Sequence, residues 1–182
     1  MLILVVADAH IPDRAIDVPE QFRKLLIPGK IEKVVALGNV AGTKTQKLLR
    51  SITSDVVGVK GDMDTDLQLP LTQTIEVENL RLGLATGLSI IPDGDPEALL
   101  IASRQMNADV VLWGGSTNVD TFELDGKFFL SPGSLTGAQS AESVSSIPSF
   151  CLLDLKGKQC VVYIYSLEKN LVKVEKAVYT KE

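Results

Sequence analysis

LILVVADAH, residues 2–10, is an aliphatic run that ends in an aspartate and a histidine. A continuous run of leucine and β-branched residues is typical of a strand buried on both faces of a parallel sheet. In such sheets, ligand-binding residues follow the carboxyl ends of the strands. The stretch therefore predicts an α/β fold in which the first strand brings Asp8 and His10 to a binding edge.

The alternation of strand and helix patterns continues after this first strand. Residues 19–27 and 43–52 have the apolar spacing of short helices, and residues 33–39 and 55–62 have the composition of buried strands. Each predicted strand ends in a polar loop, and the three loops are Asp8-Ala9-His10, Gly38-Asn39 and Gly61-Asp62. Because the carboxyl ends of parallel strands lie at one edge of a sheet, we expect these loops to converge.

The rest of the chain is dominated by hairpin patterns. Strand pairs are predicted to turn near Glu78-Asn79, at Asp125-Gly126 and at Lys156-Gly157, and residues 171–179 are predicted as the last strand. The sequence shows neither an internal repeat nor a linker-like stretch. We therefore expect residues 1–182 to form a single domain.

One helix is predicted between the first two hairpins. Asp95 is its N-cap and Pro96 its first residue, since both residue types are favoured at these positions. The residues predicted to form its buried face are Ala98, Leu99, Leu100, Ile101, Ala102 and Met106.

Composition excludes several classes of partner and site. The chain has 18 basic and 23 acidic residues, a formal net charge of −5, which offers no positive field to nucleic acid or anionic lipid. No apolar run approaches the roughly 20 residues that cross a bilayer. Cys151 and Cys160 lack metal-ligand spacing and are predicted to be buried thiols. His10 is the one histidine of the sequence, so a site built from several imidazoles is excluded.

The strand-end loops form an ordered series of motifs. Along the chain they are Asp8-x-His10, Gly38-Asn39, Gly61-Asp62-Met63-Asp64, Thr86-Gly87 and Gly114-Gly115-Ser116-Thr117. In order and spacing this series resembles that of the calcineurin-like metallophosphoesterases. That family uses two divalent ions, held by oxygen and imidazole ligands, to activate water and bind phosphoryl oxygens.

Within that superfamily, the chain resembles the non-catalytic family of small retromer subunits. The segments that carry this resemblance are AHIPDR (9–14), FRKLLIPGKI (22–31), GDMD (61–64), IIPDGD (90–95), KFFLSPGS (127–134) and IPSF (147–150). The resemblance implies a four-layer α/β/β/α sandwich of the calcineurin-like metallophosphoesterase type. It also implies a scaffold for endosome-to-Golgi retrograde protein transport.

The resemblance places the old metal ligands residue by residue. Asp8, His10, Asn39 and Asp62 occupy ligand positions and keep ligand chemistry. The positions where relatives carry later histidines are Thr86, Gly115 and Thr117, and Leu88 replaces a further histidine near the pocket. Loss of one residue that orients a metal ligand lowers metal affinity about 10- to 100-fold, and here the ligand positions themselves have changed. We therefore expect no binuclear metal site, no cofactor and no phosphodiesterase activity.

The residues leave one enzymatic alternative open. Asp64, Asp93 and Asp95 lie near the loops in sequence, so oxygen ligands are available for a weak single Mg²⁺ or Ca²⁺. The alternative is a degenerate single-metal phosphoesterase using Asp8 and His10. Otherwise, His10 is expected to be a vestigial loop residue, hydrogen-bonded to a neighbouring backbone group or carboxylate.

Two surfaces are candidates for binding. By the resemblance, Ile90 and Ile91 contact the end of the α-solenoid subunit of retromer, vacuolar protein sorting-associated protein 35, and through it the rest of the trimer. Strand alternation places Val161, Tyr163 and Tyr165 on one face of a strand. The patch that the resemblance assigns to regulators of endosomal small GTPases comprises Leu2, Leu25, Leu152, Tyr163, Tyr165 and Val174.

The expected location follows from the same resemblance. The apolar run at residues 2–7 has no basic region before it and is followed by charged residues, so it lacks the pattern of a secretory signal. We expect a cytoplasmic protein that is held peripherally on endosomes through its complex. A regulatory module that acts outside retromer is a further alternative.

Overall fold

The computed structural model describes residues 1–65, 68–138 and 146–182. Its elements in chain order are β1 (Leu2–Val6), α1 (Glu20–Leu25), β2 (Lys33–Ala36), α2 (Thr43–Ile52), β3 (Val56–Gly58), β4 (Thr72–Val77), β5 (Leu80–Ala85), α3 (Pro96–Gln105), β6 (Val110–Trp113), β7 (Val119–Leu124), β8 (Lys127–Pro132), β9 (Ser149–Lys156), β10 (Gln159–Glu168) and β11 (Leu171–Thr180). A short 3-10 helix, Gly87–Ser89, follows β5.

The larger sheet combines the parallel strands with the C-terminal hairpins. Its strand order is β11-β10-β9-β1-β2-β3. The strands β1, β2 and β3 are parallel, whereas β9 pairs antiparallel to β1, with Ile3 opposite Leu153. The parallel half confirms the predicted alternation of strands and helices, and puts the carboxyl ends of three strands at one edge.

The smaller sheet has the order β4-β5-β6-β8-β7. Its two hairpins turn where the sequence predicts, at Glu78-Asn79 and at Asp125-Gly126. Asp125 and Gly126 both have positive φ, 53° and 69°, which the primed turns of tight hairpins require. In the middle of the sheet, β5, β6 and β8 are parallel, so β5 and β6 also end at a common edge.

Three apolar clusters define four layers. The central cluster lies between the sheets and joins Val5 and Leu153 of the larger sheet to Leu84 and Leu112 of the smaller one. A second cluster packs α1 and α2 on the outer face of the larger sheet, where Phe22 meets Phe150 edge to face. A third cluster packs α3 on the smaller sheet. The predicted four-layer α/β/β/α sandwich is confirmed.

The start of α3 is predicted correctly, and its buried face is partly wrong. The Asp95 carboxylate accepts a hydrogen bond from the Ala98 N–H at 2.8 Å and caps the helix. Leu99 and Ser103 are buried, but Ile101 is 56% exposed because it lies about 200° around the helix from Leu99. In the part of the chain that the structure describes, no helix has both the length and the apolar character of a membrane span.

Both cysteines are free thiols in the apolar interior, as predicted. Cys151 lies in β9 and Cys160 in β10, each fully buried in the central cluster. Burial raises the pKa of the Cys151 thiol well above its usual value. Burial, with the nearby charge of Asp154, raises the pKa of Cys160 to about 12. Neither thiol is a reactive thiolate at neutral pH.

A buried carboxylate ties the last strand to the smaller sheet. Asp109, 7% exposed, accepts hydrogen bonds from the Lys181 ammonium and the Arg81 N–H, both at 2.9 Å. The Lys127 ammonium lies 3.7 Å away. Burial raises the pKa of the Asp109 carboxyl, but the hydrogen bonds from Lys181 and Arg81 and the two ammonium charges outweigh it, so the pKa lies below its usual value.

Asp109→Asn is expected to lower the free energy of unfolding by about 1–2 kcal/mol at pH 7. The folded-state pKa is lower than the unfolded one, so the carboxylate stabilises the fold above about pH 4, and this contribution is lost as the pH falls through the folded-state pKa. Urea unfolding of both proteins at pH 7 and at pH 3 measures the difference. The exposed Asp120→Asn is the control, and an equal Asp109→Asn effect at both pH values would contradict the assignment.

Candidate functional site

Five strand ends meet around one cavity of about 370 Å³. The expected convergence of the loops after β1, β2 and β3 is observed, and the loops after β5 and β6 complete the wall. The residues that line this strand-end cavity are Asp8, Arg14, Leu37, Asn39, Asp62, Thr86, Gly87, Leu88, Asp93 and Gly115. His10 lies beside Asp8 rather than on the wall, and Thr117 is not part of the lining.

Asp8 is buried at the base of the cavity and already has protein donors on both carboxylate oxygens. The Asn39 side-chain amide donates to Oδ1, and the Gly115 N–H donates to Oδ2, both at 2.8 Å. Gly115 has a φ of +93°, a conformation that glycine adopts without strain. Asp62, by contrast, is exposed to solvent.

The orientation of the Asn39 amide is fixed by its neighbours. The Met63 N–H donates to Asn39 Oδ1 at 2.9 Å, and this leaves the Nδ2 group to face Asp8. Gly61 makes room for this arrangement, because a Cβ at that position would lie 2.3 Å from Asn39 Oδ1. Asn39 therefore presents a hydrogen-bond donor toward Asp8.

Asp64 holds two of the loops together. Its side chain is 1% exposed and accepts hydrogen bonds from three backbone N–H groups, those of Asn39 at 2.6 Å, Ala41 at 2.9 Å and Gly61 at 2.9 Å. The sequence suggested Asp64 as a spare metal ligand, but both of its oxygens are used in joining the loop after β2 to the loop after β3. Asp95 is likewise engaged, as the cap of α3.

His10 does not make the expected hydrogen bond. Its Nε2 atom lies 3.6 Å from Asp8 Oδ1, which is beyond hydrogen-bond distance, and its buried Nδ1 atom has no partner among the described residues. Asp8, His10 and Asn39 all have φ values between 47° and 57°, a left-handed conformation that is costly for most side chains. Such strain clusters at functional sites.

The carboxylates nearest the cavity are dispersed rather than gathered. Within residues 1–65, 68–138 and 146–182, no group of three or more His, Cys, Asp or Glu side chains is placed so that it could hold a metal ion. Sequence reasoning did not identify Arg14 as a wall residue, although it stands four residues after His10 in the same loop.

The structure separates the two isoleucines predicted to bind a partner. Ile91 is 82% exposed beside the cavity loops, whereas Ile90 is 2% exposed and packs in the cluster beneath α3. Ile90 therefore supports the loop from below and offers no surface, which corrects its predicted contact role. Leu88, 54% exposed, lies on the cavity wall. Leu88 and Ile91 are exposed apolar residues three positions apart in the segment after β5, and this pair is hereafter called the Ile91 rim.

The predicted tyrosine patch is brought together on the outer face of the larger sheet. It borders a groove of about 410 Å³, here called the tyrosine groove, and Tyr165 stacks on Phe150 with ring centroids 4.7 Å apart. The lining residues are Leu2, Lys24, Leu25, Leu26, Ile27, Lys30, Ile31, Phe150, Leu152, Tyr163 and Tyr165. Val174 pairs with Tyr165 across the strands and is 52% exposed, but it is not part of the lining.

Comparison with known proteins gives consistent matches. The sequence-family model described as calcineurin-like phosphoesterase superfamily domain matches residues 1–158 of this chain. Vacuolar protein sorting-associated protein 29 of Schizosaccharomyces pombe is 41% identical over 185 residues, covering 100% of this chain and 99% of that protein.

Solved structures of two further relatives share the fold along their whole length. Chaetomium thermophilum Vps29 has a TM-score of 0.95 at 42% identity, covering 100% of both chains. The same protein in complex with a cyclic peptide has a TM-score of 0.89 at 40% identity, covering 100% of this chain and 98% of that one. Wild-type Entamoeba histolytica Vps29 complexed with Zn²⁺ has a TM-score of 0.92 at 39% identity, covering 98% and 99%.

Proposed function

The chain belongs to the Vps29 family of the calcineurin-like phosphoesterase superfamily, and we propose that it is a retromer subunit that acts through its surfaces. The observation that carries this proposal is the state of the strand-end cavity. Its central carboxylate, Asp8, is bonded to protein donors where a phosphoesterase would bind metal. In this proposal, residues 1–182 work as one domain in retrograde transport from endosomes.

The proposed surface for the α-solenoid subunit of retromer is the Ile91 rim. Ile91 is 82% exposed and Leu88 54%; Leu88 lines the cavity, and Ile91 lies two residues before Asp93, which also lines it. Large apolar side chains held in this way lose water contact when a partner covers them, which favours binding. Ile90 holds the loop from the core side, so the rim keeps its shape before the partner arrives.

A direct test is to mix the purified chain with the purified α-solenoid subunit of the same organism. The proposal expects a one-to-one complex by size-exclusion chromatography with light scattering. Failure of the two proteins to associate at micromolar concentration would reject the retromer role and favour a module that acts outside retromer.

We also propose that the chain has no phosphoesterase activity, because the side chains around the cavity are poor ligands for two metal ions. The Asn39 amide presents its donor to Asp8, so this pair cannot jointly ligate a cation without rearrangement. Asp64 is engaged by three backbone N–H groups. The lining contributes Thr86 and Gly115 where relatives have imidazoles, and a neutral hydroxyl is a poor ligand for Mn²⁺ or Zn²⁺. The residues do not fit a two-metal centre.

Titration calorimetry of Mn²⁺ and Zn²⁺ into chelator-stripped protein is expected to give no two-site binding at micromolar concentration. Disrupting the hydrogen bonds of Asp8 and Asn39 would oppose the gain from ligation. Turnover of a generic phosphodiester is measured in parallel with each metal. Micromolar binding at two sites together with turnover would contradict the proposal.

A single-metal phosphoesterase is the second candidate function. The observation that favours it is the Entamoeba histolytica relative, 39% identical, that was solved with Zn²⁺. In this chain, Asp8 and His10, with Asp62 or Asp93, would be the residues to hold the ion. One-site binding that is lost in His10→Ala, with metal-dependent turnover, would establish this function.

The tyrosine groove is proposed as the surface that binds regulators of endosomal small GTPases. Its floor contains Tyr163 and Tyr165, and aromatic residues with a polar end are frequent binding hot spots. Leu25, at the end of α1, is 45% exposed at the groove. A cyclic peptide bound to the Chaetomium thermophilum relative shows that a member of the family accepts a peptide ligand.

Leu25→Asp is expected to weaken binding at the tyrosine groove at least about tenfold, because a carboxylate would have to be desolvated there. Fluorescence polarisation with the cyclic peptide of the Chaetomium thermophilum complex measures the effect. Ile101→Asp on α3, in the opposite outer layer, is the matched control. If the wild type and Leu25→Asp bound the peptide with equal affinity, the peptide would not bind at the tyrosine groove.

The same proposal places the protein in the cytoplasm, peripherally on endosomes. Its attachment would depend on the α-solenoid subunit, so Ile91→Asp should release it from endosomes without changing its abundance. Fractionation of cells that express the tagged protein measures this distribution.

A further inference from the structure

We propose that β7 binds an extended basic segment of a partner protein by strand addition. The segment would pair with the free edge of β7 and lie along the groove between the two sheets. In this mode of recognition, main-chain hydrogen bonds supply affinity and side-chain contacts supply specificity. The inference goes beyond the proposed function, because it uses neither the Ile91 rim nor the tyrosine groove.

The edge of β7 presents backbone groups that no strand pairs with. β7 is the last strand of the smaller sheet, so one of its edges is free. The hairpin closes with Leu124 opposite Lys127, and the first pair after a two-residue turn exchanges hydrogen bonds in both directions. Hydrogen-bonded pairs then alternate along the strands, so every second residue of β7 directs its N–H and C=O away from β8. These residues are Val119, Thr121 and Glu123.

Two further observations agree with this alternation. Pro132, which has no N–H to donate, lies opposite Val119, where the alternation requires no hydrogen bond to β7. Among the described residues, no backbone group outside the hairpin is hydrogen-bonded to Val119, Thr121 or Glu123. Three residues of β7 therefore have donors and acceptors in place for an added strand.

β7 lacks the features that commonly block pairing at a sheet edge. Lysine, proline and β-bulges are such features, but the sequence of β7, VDTFEL, contains neither lysine nor proline, and its register with β8 is continuous. The free edge strand beside it in the larger sheet, β11, differs because it carries Lys173 and Lys176. The edge of β7 is therefore open to an extended chain.

A groove of about 420 Å³ lies between β7 and the larger sheet. Its lining residues, which define the β7 groove, are Asn118, Val119, Asp120, Thr121, Ile147, Ser149, Ile164, Ser166, Glu168 and Glu175. Ile147 is 48% exposed and Ile164 is half-buried, so both have apolar surface that an added strand would cover. Alternate side chains of that strand would point into the groove.

The charge of the β7 groove selects a basic segment. None of the described residues that line it is basic, and three are carboxylates. Lys173 forms an ion pair with Glu168, so the net negative charge comes from Asp120 and Glu175, which are both exposed. Opposite charges on neighbouring strands stabilise pairing, and they also favour one partner over others. An extended segment with lysine or arginine side chains therefore fits the groove.

A second copy of this chain fits the edge less well. Pairing β7 with β7 would bring Asp120 and Glu123 of both copies into adjoining strands. Like charges on neighbouring strands destabilise pairing. The negative edge therefore favours a basic partner over self-association.

The first test uses a short capped peptide that alternates lysine and valine over about eight residues. The ¹⁵N-labelled chain is titrated with this peptide and, separately, with one in which glutamate replaces lysine. We expect saturable shifts of the Thr121 and Glu123 amide signals with the basic peptide, and affinity at least about tenfold lower for the acidic one. Lys24 and Lys30 line the tyrosine groove, which disfavours the basic peptide there. Equal affinities, or no shifts at β7, would overturn the inference.

N-methylated peptides test the main-chain hydrogen bonds. In a strand, the N–H groups of alternate residues point to the same neighbour. One basic peptide is N-methylated at its valines and the other at its lysines, so only one of them keeps the N–H groups that face β7. We expect one form to bind at least about tenfold more weakly and the other to bind like the parent. Equal affinities of the two forms would show that the peptide binds without strand addition.

Charge variants locate the peptide. Asp120→Asn combined with Glu175→Gln should weaken the basic peptide at least about tenfold. Asp62→Asn combined with Asp93→Asn removes the same charge from the strand-end cavity and should leave affinity unchanged. Equal effects of the two double variants would mean that the peptide responds to the net charge of the chain, and the inference would fail.

A backbone variant tests the edge itself. Thr121→Pro removes an N–H that faces away from β8, a position at which an edge strand tolerates proline. It should abolish the saturable shifts, whereas Thr121→Val keeps the N–H and the side-chain shape and should bind like the wild type. The amide spectrum of each variant reports whether the chain is folded. Loss of binding in Thr121→Val, or retention in a folded Thr121→Pro, would contradict strand addition.

Light scattering of the chain without peptide tests the other occupant. We expect a monomer at the concentration of the titration. A dimer in which the Thr121 and Glu123 amides are protected from hydrogen exchange would show that a second copy occupies the edge, and would overturn the inference.

Discussion

Ile91→Asp is expected to weaken binding of the α-solenoid subunit at least about 100-fold. The side chain is 82% exposed in the free chain and would be covered in the complex, where an aspartate must be desolvated without a partner. Truncating a central apolar anchor costs 2 kcal/mol or more, and about 2.7 kcal/mol corresponds to 100-fold. Calorimetry with the purified subunit measures the dissociation constant.

The control for this variant is Ile101→Asp. Ile101 is also an exposed isoleucine, but it lies on α3 rather than at the cavity. Both variants change a surface position, so unfolding free energies should stay within about 0.5 kcal/mol of the wild type. A dissociation constant changed less than threefold by Ile91→Asp, or equally by both variants, would remove the Ile91 rim from the interface.

Asp64→Ala is expected to lower the free energy of unfolding by about 4 kcal/mol. The substitution leaves three buried N–H groups, those of Asn39, Ala41 and Gly61, without an acceptor. Each buried donor left unsatisfied costs about 1–3 kcal/mol, reduced where water enters. Urea unfolding followed by the fluorescence of Trp113, the one tryptophan of the sequence, measures the loss.

Asp62→Ala is the matched control, because it removes a carboxylate two residues away that is exposed. It should change the unfolding free energy by no more than about 0.5 kcal/mol. If Asp64→Ala were as stable as the control, Asp64 would not be the residue that joins the two loops. The interpretation of Asp64 as a metal ligand would then be favoured.

Local signals explain why most of the fold could be predicted. The primed turn at Asp125-Gly126, the cap at Asp95 and the apolar run at residues 2–7 each act within a few residues, so the sequence is enough to locate them. The pairing of β9 with β1 joins residues about 150 positions apart and has no local signature. It was therefore found only in the structure.

The errors concern burial, which depends on what packs above a residue. Ile101 and Ile90 are both isoleucines in apolar segments, yet one is 56% exposed and the other 2%. The helix α3 contacts its sheet along a stripe narrower than its apolar face, so the sequence pattern overstates the buried part. Ile90 lies beneath the same helix, where no periodic pattern exists to reveal it.

The residues that line the cavity could be predicted in part, but their hydrogen-bond partners could not. The ordered loops located Asp8, Asn39 and Asp62 at one cavity, as the structure shows. That Asn39 turns its amide donor toward Asp8 depends on the Met63 N–H, and that Asp64 fastens two loops depends on three backbone groups. Backbone donors are the same for every sequence, so residue types alone could not reveal these roles.

Burial keeps the thiols of Cys151 and Cys160 from reacting with alkylating reagents and mild oxidants while the chain remains folded. A maleimide dye would therefore find no natural target. A single cysteine introduced at Ile101 would be the one labelled position, with both natural cysteines left in place. Docking events at either surface could then be followed by energy transfer on an otherwise unaltered chain.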